Sequence, residues 1–183
     1  MTEARSHRVF FALWPDDEAV GHLSALAHAL TGKGGRVMRP ATLHLTLAFV
    51  GSVTSTRLVE LESIGARVQG EAFDLSLDRL GFWPQRGILW AGCRTTPPPL
   101  RRLCERLATE LTAAGFTLDS RTGAGQLPHV TLARRVRCAS PPRLETPIRW
   151  RAGEFVLVES QLHPSAASYR ILASFPLAES GPA

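Results

Sequence analysis

Lysine is almost missing from this 183-residue chain: Lys33 stands alone against 20 arginines. With 16 acidic residues the formal net charge is +5, and a positive surface favours anionic partners such as phosphates or nucleic acid. An almost complete replacement of Lys by Arg is also what a GC-rich genome produces, so charge alone names no function. Long hydrophobic runs are absent too. None reaches the roughly 20 residues that span a bilayer. The polar start, Met1 to Arg8, and the short run Val9 to Trp14 lack the core of a signal peptide, so a cytoplasmic protein is expected. The three cysteines, Cys93, Cys104 and Cys138, are odd in number and widely spaced. They exclude a disulfide framework and a CxxC metal site, and they fit a reducing compartment. Neither GxGxxG nor GxxxxGK[ST] occurs, which removes the common nucleotide-binding loops. Gly32-Lys33-Gly34-Gly35 reads as a turn, because no Ser or Thr follows the lysine.

What is present is a 44% hydrophobic chain, enough for one domain or for one unit of two lobes. Arg8 to Trp14 reads as a strand stopped by Pro15. Asp16 and Asp17 then open a helix with Val20, Leu23, Ala27 and Leu30 on one face. Leu43 to Val50 reads as a strand closed by Gly51. Ser52 and Thr54 offer caps for a helix carrying Leu58, Leu61, Ile64 and Val68. Phe73 to Leu77 alternates with period two, as a half-wet strand does. Gly87 to Gly92 is a short apolar strand. After Pro97-Pro98-Pro99 comes the strongest helix, with Leu100, Leu103, Cys104, Leu107 and Leu111 inside. Arg101–Glu105 and Arg106–Glu110 are spaced for i,i+4 pairs on its outer face. Gly123 to Gln126 reads as a flexible approach to a strand from Pro128 to Ala133. Ser140 to Pro147 is a Pro-rich loop, and Phe155–Val158 with Tyr169–Phe175 forms a closing pair of strands. Short strands, several of them alternating, favour α+β with antiparallel sheets over a doubly wound parallel sheet.

One feature repeats. His44-Leu45-Thr46-Leu47 and His129-Val130-Thr131-Leu132 both fit H-x-T-L, and each follows a strand and a helix. On a strand, alternate side chains share a face. Each His therefore looks out beside its Thr, while the leucines enter the core. If two lobes face each other, two imidazoles and two hydroxyls converge. Imidazoles titrate near neutral pH and can act as general base and general acid in one displacement. Hydroxyls can hydrogen-bond the oxygens of a phosphate held between them, and Arg134 can add a charge-assisted contact. Thr46 and Thr131 as nucleophiles fit a symmetric pair less well. A metal site lacks ligands, since no Asp, Glu or Cys falls at ligand spacing near either copy. His163, beside Pro164, reads as part of a turn, and His7, His22 and His28 as solvated. Phe11, Trp83, Trp90 and Tyr169 are candidate stacking surfaces for a base, with core or rim packing the favoured reading of each.

At these residues the chain resembles the two-histidine phosphoesterases, specifically the LigT-like RNA 2′,3′-cyclic phosphodiesterases. The resemblance covers most of the chain and rests on Arg8-Val-Phe-Phe-Ala12, on Arg39 to Gly51 and on Leu127 to Arg134. It implies a bilobal, pseudo-symmetric α+β fold, with antiparallel sheets facing a central cleft and helices outside. One domain over residues 1–183 is expected, flexible at 1–7 and 179–183. The activity implied is metal-independent hydrolysis of a terminal 2′,3′-cyclic phosphate to a 2′-phosphate. His44 would be the proton donor to the leaving 3′ oxygen and His129 the proton acceptor from water. Thr46, Thr131 and Arg134 would bind phosphate, with Arg39 at the cleft edge. No cofactor or metal is expected. The partners implied are RNA ends or nucleotides bearing the cyclic phosphate, with no membrane and a monomeric state. Gly123-Ala-Gly-Gln-Leu127 departs from the aromatic and basic residues that many members carry before the second motif, which bears on contacts to sugar or base. Two other readings use the same residues: a 2′,5′ RNA ligase acting on tRNA halves, and a non-catalytic module that binds RNA ends.

Overall fold

The computed structural model describes residues 6–118, 127–137, 140–162 and 167–179. Strand β1 (Ser6–Leu13) is followed by helix α1 (Asp17–Leu30), the short β2 (Arg36–Val37) and β3 (Leu45–Thr54). Then come α2 (Ser55–Arg67), β4 (Phe73–Leu77), β5 (Arg79–Trp83), β6 (Ile88–Gly92) and α3 (Pro98–Ala113). The chain ends with β7 (His129–Arg134), β8 (Ile148–Ala152), β9 (Glu154–Leu162) and β10 (Ala167–Pro176). The strands pair antiparallel in an eight-stranded sheet of order β10-β9-β1-β3-β7-β6-β5, with β2 also on β7. A two-stranded sheet joins β4 and β8. The α+β expectation therefore holds, with the two facing sheets realised as halves of one sheet.

The helices begin and end on ordinary signals. The Asp16 carboxylate accepts the Ala19 N–H at 2.8 Å and caps α1, a contact worth about 1 kcal/mol. Thr54 caps α2. In α3, Pro98 and Pro99 occupy the first turn, where the missing N–H costs nothing. Gly115, at φ +74°, turns the chain back so that the Phe116 N–H reaches the Leu111 carbonyl. Leu23 and Ala27 of α1, Leu61 and Ile64 of α2, and Leu100, Leu103, Leu107 and Leu111 of α3 bury together against Val9, Phe11, Leu13, Leu45, Leu47 and Leu132. The opposite side of β1 and β9 carries a small separate cluster: Phe10, Ala12, Val156 and Val158, with Trp14, Phe49 and Tyr169 packed on it.

Four expectations change. Gly51 does not close β3, which runs on to Thr54. Its φ of +90° accommodates a bulge where Val9 pairs Gly51 and Phe10 pairs Phe49. Ser6 and His7, expected in a flexible arm, belong to β1, and His7 is buried. The outer face of α3 pairs across elements rather than along the helix: Arg102 meets Glu71, Arg106 reaches the Gln69 carbonyl, and Arg67 of α2 meets Glu110. Strands β2, β5 and β8 add to those read from sequence. The segment from Gly123 to Gln126, His163 and Cys138 lie outside the described residues.

Candidate active site

The two HxTL motifs meet at the middle of the sheet. Among the described residues, β3 and β7 share one register pair, Leu45 with Val130, the central residues of the two motifs. Both side chains are fully buried on the helix side. Continuing this antiparallel register by one residue each way sets His44 against Thr131 and Thr46 against His129. The motifs thus lie crosswise about a local two-fold axis, with all four polar side chains on the face away from the helices.

The correspondence continues beyond the motifs. In β3, Ala12 pairs Thr46 but Phe11 pairs Ala48, so one residue is extra. In β7, Trp90 pairs Thr131 but Leu89 pairs Ala133, again one residue extra. Each bulge comes directly after the motif's threonine and interrupts the alternation. Leu47 and Ala48 both turn inward, as do Leu132 and Ala133. Phe49 and Arg134 then return to the outer face. Strict alternation would put Arg134 on the side of Leu132. The bulge is what brings it beside Thr131.

Both imidazoles are held in the same way. The Nδ1–H of His44 donates to the Thr42 carbonyl at 2.8 Å, and that of His129 to the Leu127 carbonyl at 2.8 Å. A carbonyl only accepts, so Nδ1 carries the proton in both rings and Nε2 is the basic nitrogen of each neutral imidazole. The first carbonyl is fixed by a turn over Pro40–Thr42, where the Thr42 hydroxyl donates to the Arg39 carbonyl at 2.8 Å. These two backbone acceptors were not foreseen. Their sequence signal is only position, two residues before each His.

Aromatic rings wall both histidines. Trp14 stacks on His44 at 5.6 Å, while Phe10 lies at 4.8 Å and Tyr169 meets it edge-on at 5.2 Å. Trp83 and Trp90 flank His129 at 4.6 and 6.1 Å. Of the expected stacking candidates, Trp83, Trp90 and Tyr169 are therefore at the site. Phe11 is not, since it packs in the core on Phe155 and Phe175. Phe10 and Trp14 are additions. The walls desolvate His44 and lower its pKa to about 4, against a raising effect of the Thr42 hydrogen bond. The charges of His129 and Arg134 lower it further, so both groups lie within electrostatic reach of the ring.

Other nucleophiles are poorly placed. Cys93 and Cys104 are buried and free, and burial pushes their thiols up to about 11 and about 12. His22 and His28 are exposed on α1, as expected. Among the described residues no three His, Cys, Asp or Glu side chains come close enough to hold a metal ion.

Residues 13–90 match the family model described as LigT like Phosphoesterase. The RNA 2′,3′-cyclic phosphodiesterase of Escherichia coli (strain K12) is 32% identical over 102 residues, an alignment spanning 56% of each chain. The enzyme of the same name from Archaeoglobus fulgidus is 27% identical over 181 residues, spanning 92% of this chain and 99% of the relative. The crystal structure of E. coli LigT in apo form superposes with a TM-score of 0.86 at 25% identity, covering 96% of this chain and 99% of that one. Its complex with 3′-AMP superposes at 0.85 with 27% identity, covering 94% and 99%. With the first HxTL motif inside the matched segment and the fold shared over nearly its whole length, the chain is similar to the LigT-like phosphoesterases in sequence over residues 13–90 and in fold throughout.

Proposed function

We propose that this chain opens the 2′,3′-cyclic phosphate at an RNA end and leaves a 2′-phosphate. The observation that carries the reading is the matched pair of imidazoles on one face of the sheet, each with Nδ1 tied to a backbone carbonyl so that Nε2 is the basic nitrogen of the neutral ring. The names of the relatives, RNA 2′,3′-cyclic phosphodiesterase, support the same substrate.

In this reaction a water oxygen attacks phosphorus while His129 Nε2 takes its proton. The bond from phosphorus to the 3′ oxygen breaks, and that oxygen receives the proton from His44 Nε2. The two proton transfers balance, and solvent exchange resets the pair. Thr46 and Thr131 donate hydroxyls to the non-bridging oxygens, and Arg134 offsets the charge that grows on them. His44 must be protonated to act first as acid. Its lowered pKa keeps it neutral in the empty protein, and the bound phosphate anion draws the proton on, so acid and substrate arrive together.

The test is incubation with 2′,3′-cyclic mononucleotides in excess chelator, with the product isomer identified. A 2′-phosphate product is expected, and His44→Ala or His129→Ala should each cost about 10²–10⁴-fold in kcat with the fold intact. A 3′-phosphate product would overturn the role assignment. Tight binding of the cyclic nucleotide with no turnover would favour a module that only recognises RNA ends.

A further inference from the structure

The local two-fold axis leaves one position unmatched. Where β7 returns Arg134 to the outer face, β3 returns Phe49. The first half of the sheet recovers a cation by another route: the Arg8 guanidinium lies over the Phe49 ring, 4.9 Å from its centroid. Arg8 shares a face of β1 with Phe10, the residue that packs on His44, and sits about 6–7 Å further along the strand. It is exposed, and among the described residues no carboxylate pairs with it. Ile171 is 46% exposed, and it pairs with Val158, which pairs with Phe10. A cation over an aromatic ring, with an exposed aliphatic side chain two strands away on the same face, thus extends this face of the sheet beyond His44. The other half has Arg79 over Trp90 at 5.6 Å, but that ring is only 3% exposed and offers no surface to a ligand.

We propose that Arg8, Phe49 and Ile171 form a second nucleotide subsite for the residue preceding the cyclic phosphate. This rests on the phosphodiesterase reading. The guanidinium takes the phosphodiester, and the phenylalanine and isoleucine carry the base or sugar face. Phosphate contacts of this kind position a strand without reading its sequence. The site is therefore built for an RNA end in preference to a free nucleotide.

The experiment compares a 2′,3′-cyclic mononucleotide with a dinucleotide ending in the same group. The wild type should show a KM several-fold lower for the dinucleotide. Arg8→Ala should remove that advantage and leave mononucleotide kcat/KM within about two-fold, while Arg8→Lys restores only part of it. Equal effects on both substrates, no effect on either, or loss of the advantage in Arg79→Ala instead would each overturn the subsite. A wild type that fails to open the mononucleotide would overturn the phosphodiesterase reading itself, so the two failures are distinguishable. Unchanged circular dichroism and Tm in Arg8→Ala separate lost contacts from lost fold.

Discussion

Burial among aromatic rings sets the titration of His44. The rings are Phe10 of β1, Trp14 directly after that strand, and Tyr169 of β10, which no local sequence window contains together with His44. With the ring held near 4, the native chain takes up this proton later than the unfolded chain, whose histidine titrates near 6.5. This contribution to stability is full above pH 6.5 and is lost as pH falls through about 4. Inorganic phosphate in the site should move the native pKa upward. Histidine ring NMR titration, with and without phosphate, checks both values, and an unperturbed His44 near 6.5 would refute the desolvation argument. His7 makes the opposite case, a residue read as solvated that is buried. Its Nδ1 lies 2.6 Å from Glu159 Oε1 and its Nε2 3.1 Å from Ser55 Oγ, while Arg170 also pairs with Glu159. The carboxylate comes from the far end of the chain, so only strand pairing reveals it. Burial raises the pKa of Glu159, but hydrogen bonds from His7, Arg170 and Gln161 outweigh it and hold the group below its ordinary range. Its contribution is thus present above the unfolded carboxylate pKa of about 4.3 and disappears as pH falls through the lower native value. Glu159→Gln should cost on the order of 3 kcal/mol at neutral pH, with a gap that closes under acid, as urea unfolding across pH would record.

Helices were legible because their apolar faces and caps lie within one window, as Asp16, Thr54 and Gly115 illustrate. Strands were legible where their residues alternate or run apolar. The bulges after Thr46 and Thr131 were not, since a bulge exists only relative to the partner strand, β1 in one case and β6 in the other. Strand β8, Ile148-Arg-Trp-Arg-Ala152, alternates buried and exposed, a signal of period two that was there to be found. Strand β5 was hidden by its centre, because Gly81 reads as a breaker. The structure explains that glycine. A Cβ there would collide with the Trp90 indole ring, which occupies the space beside the glycine. Trp90 in turn flanks His129. Gly81→Ala must therefore push the indole toward the histidine. The expected result is a loss of about 1–3 kcal/mol in chemical denaturation together with a fall in kcat/KM. A stable variant of full activity would show that Trp90 does not position His129.

For the molecule as a whole, the repeat in the sequence was the most informative signal, because it predicted two related halves. It did not reveal that they join through Leu45 and Val130, the pair that sets each histidine against the other motif's threonine. The structure also sorts the arginine excess by location. On the helix side, Arg57, Arg67 and Arg102 pair with Glu60, Glu110 and Glu71. On the opposite face Arg8, Arg79 and Arg134 have no carboxylate partner among the described residues, and two of them rest on aromatic rings. Paired charges cancel at a distance, whereas unpaired ones add to the field that draws an anion in. Arg8, Arg79 and Arg134 should therefore add directly to the field that an anion meets at this face. A bound RNA end would displace counterions according to how many phosphates it places against those arginines, so the salt dependence counts them. A longer RNA end should show a steeper fall of kcat/KM with salt than a cyclic mononucleotide. Arg8→Ala should reduce the log–log slope for the longer end by about 1, and Arg102→Gln should leave it unchanged. If Arg102→Gln flattened the slope as much as Arg8→Ala, the field would belong to the whole surface, and the division of arginines between the two faces would carry no functional meaning.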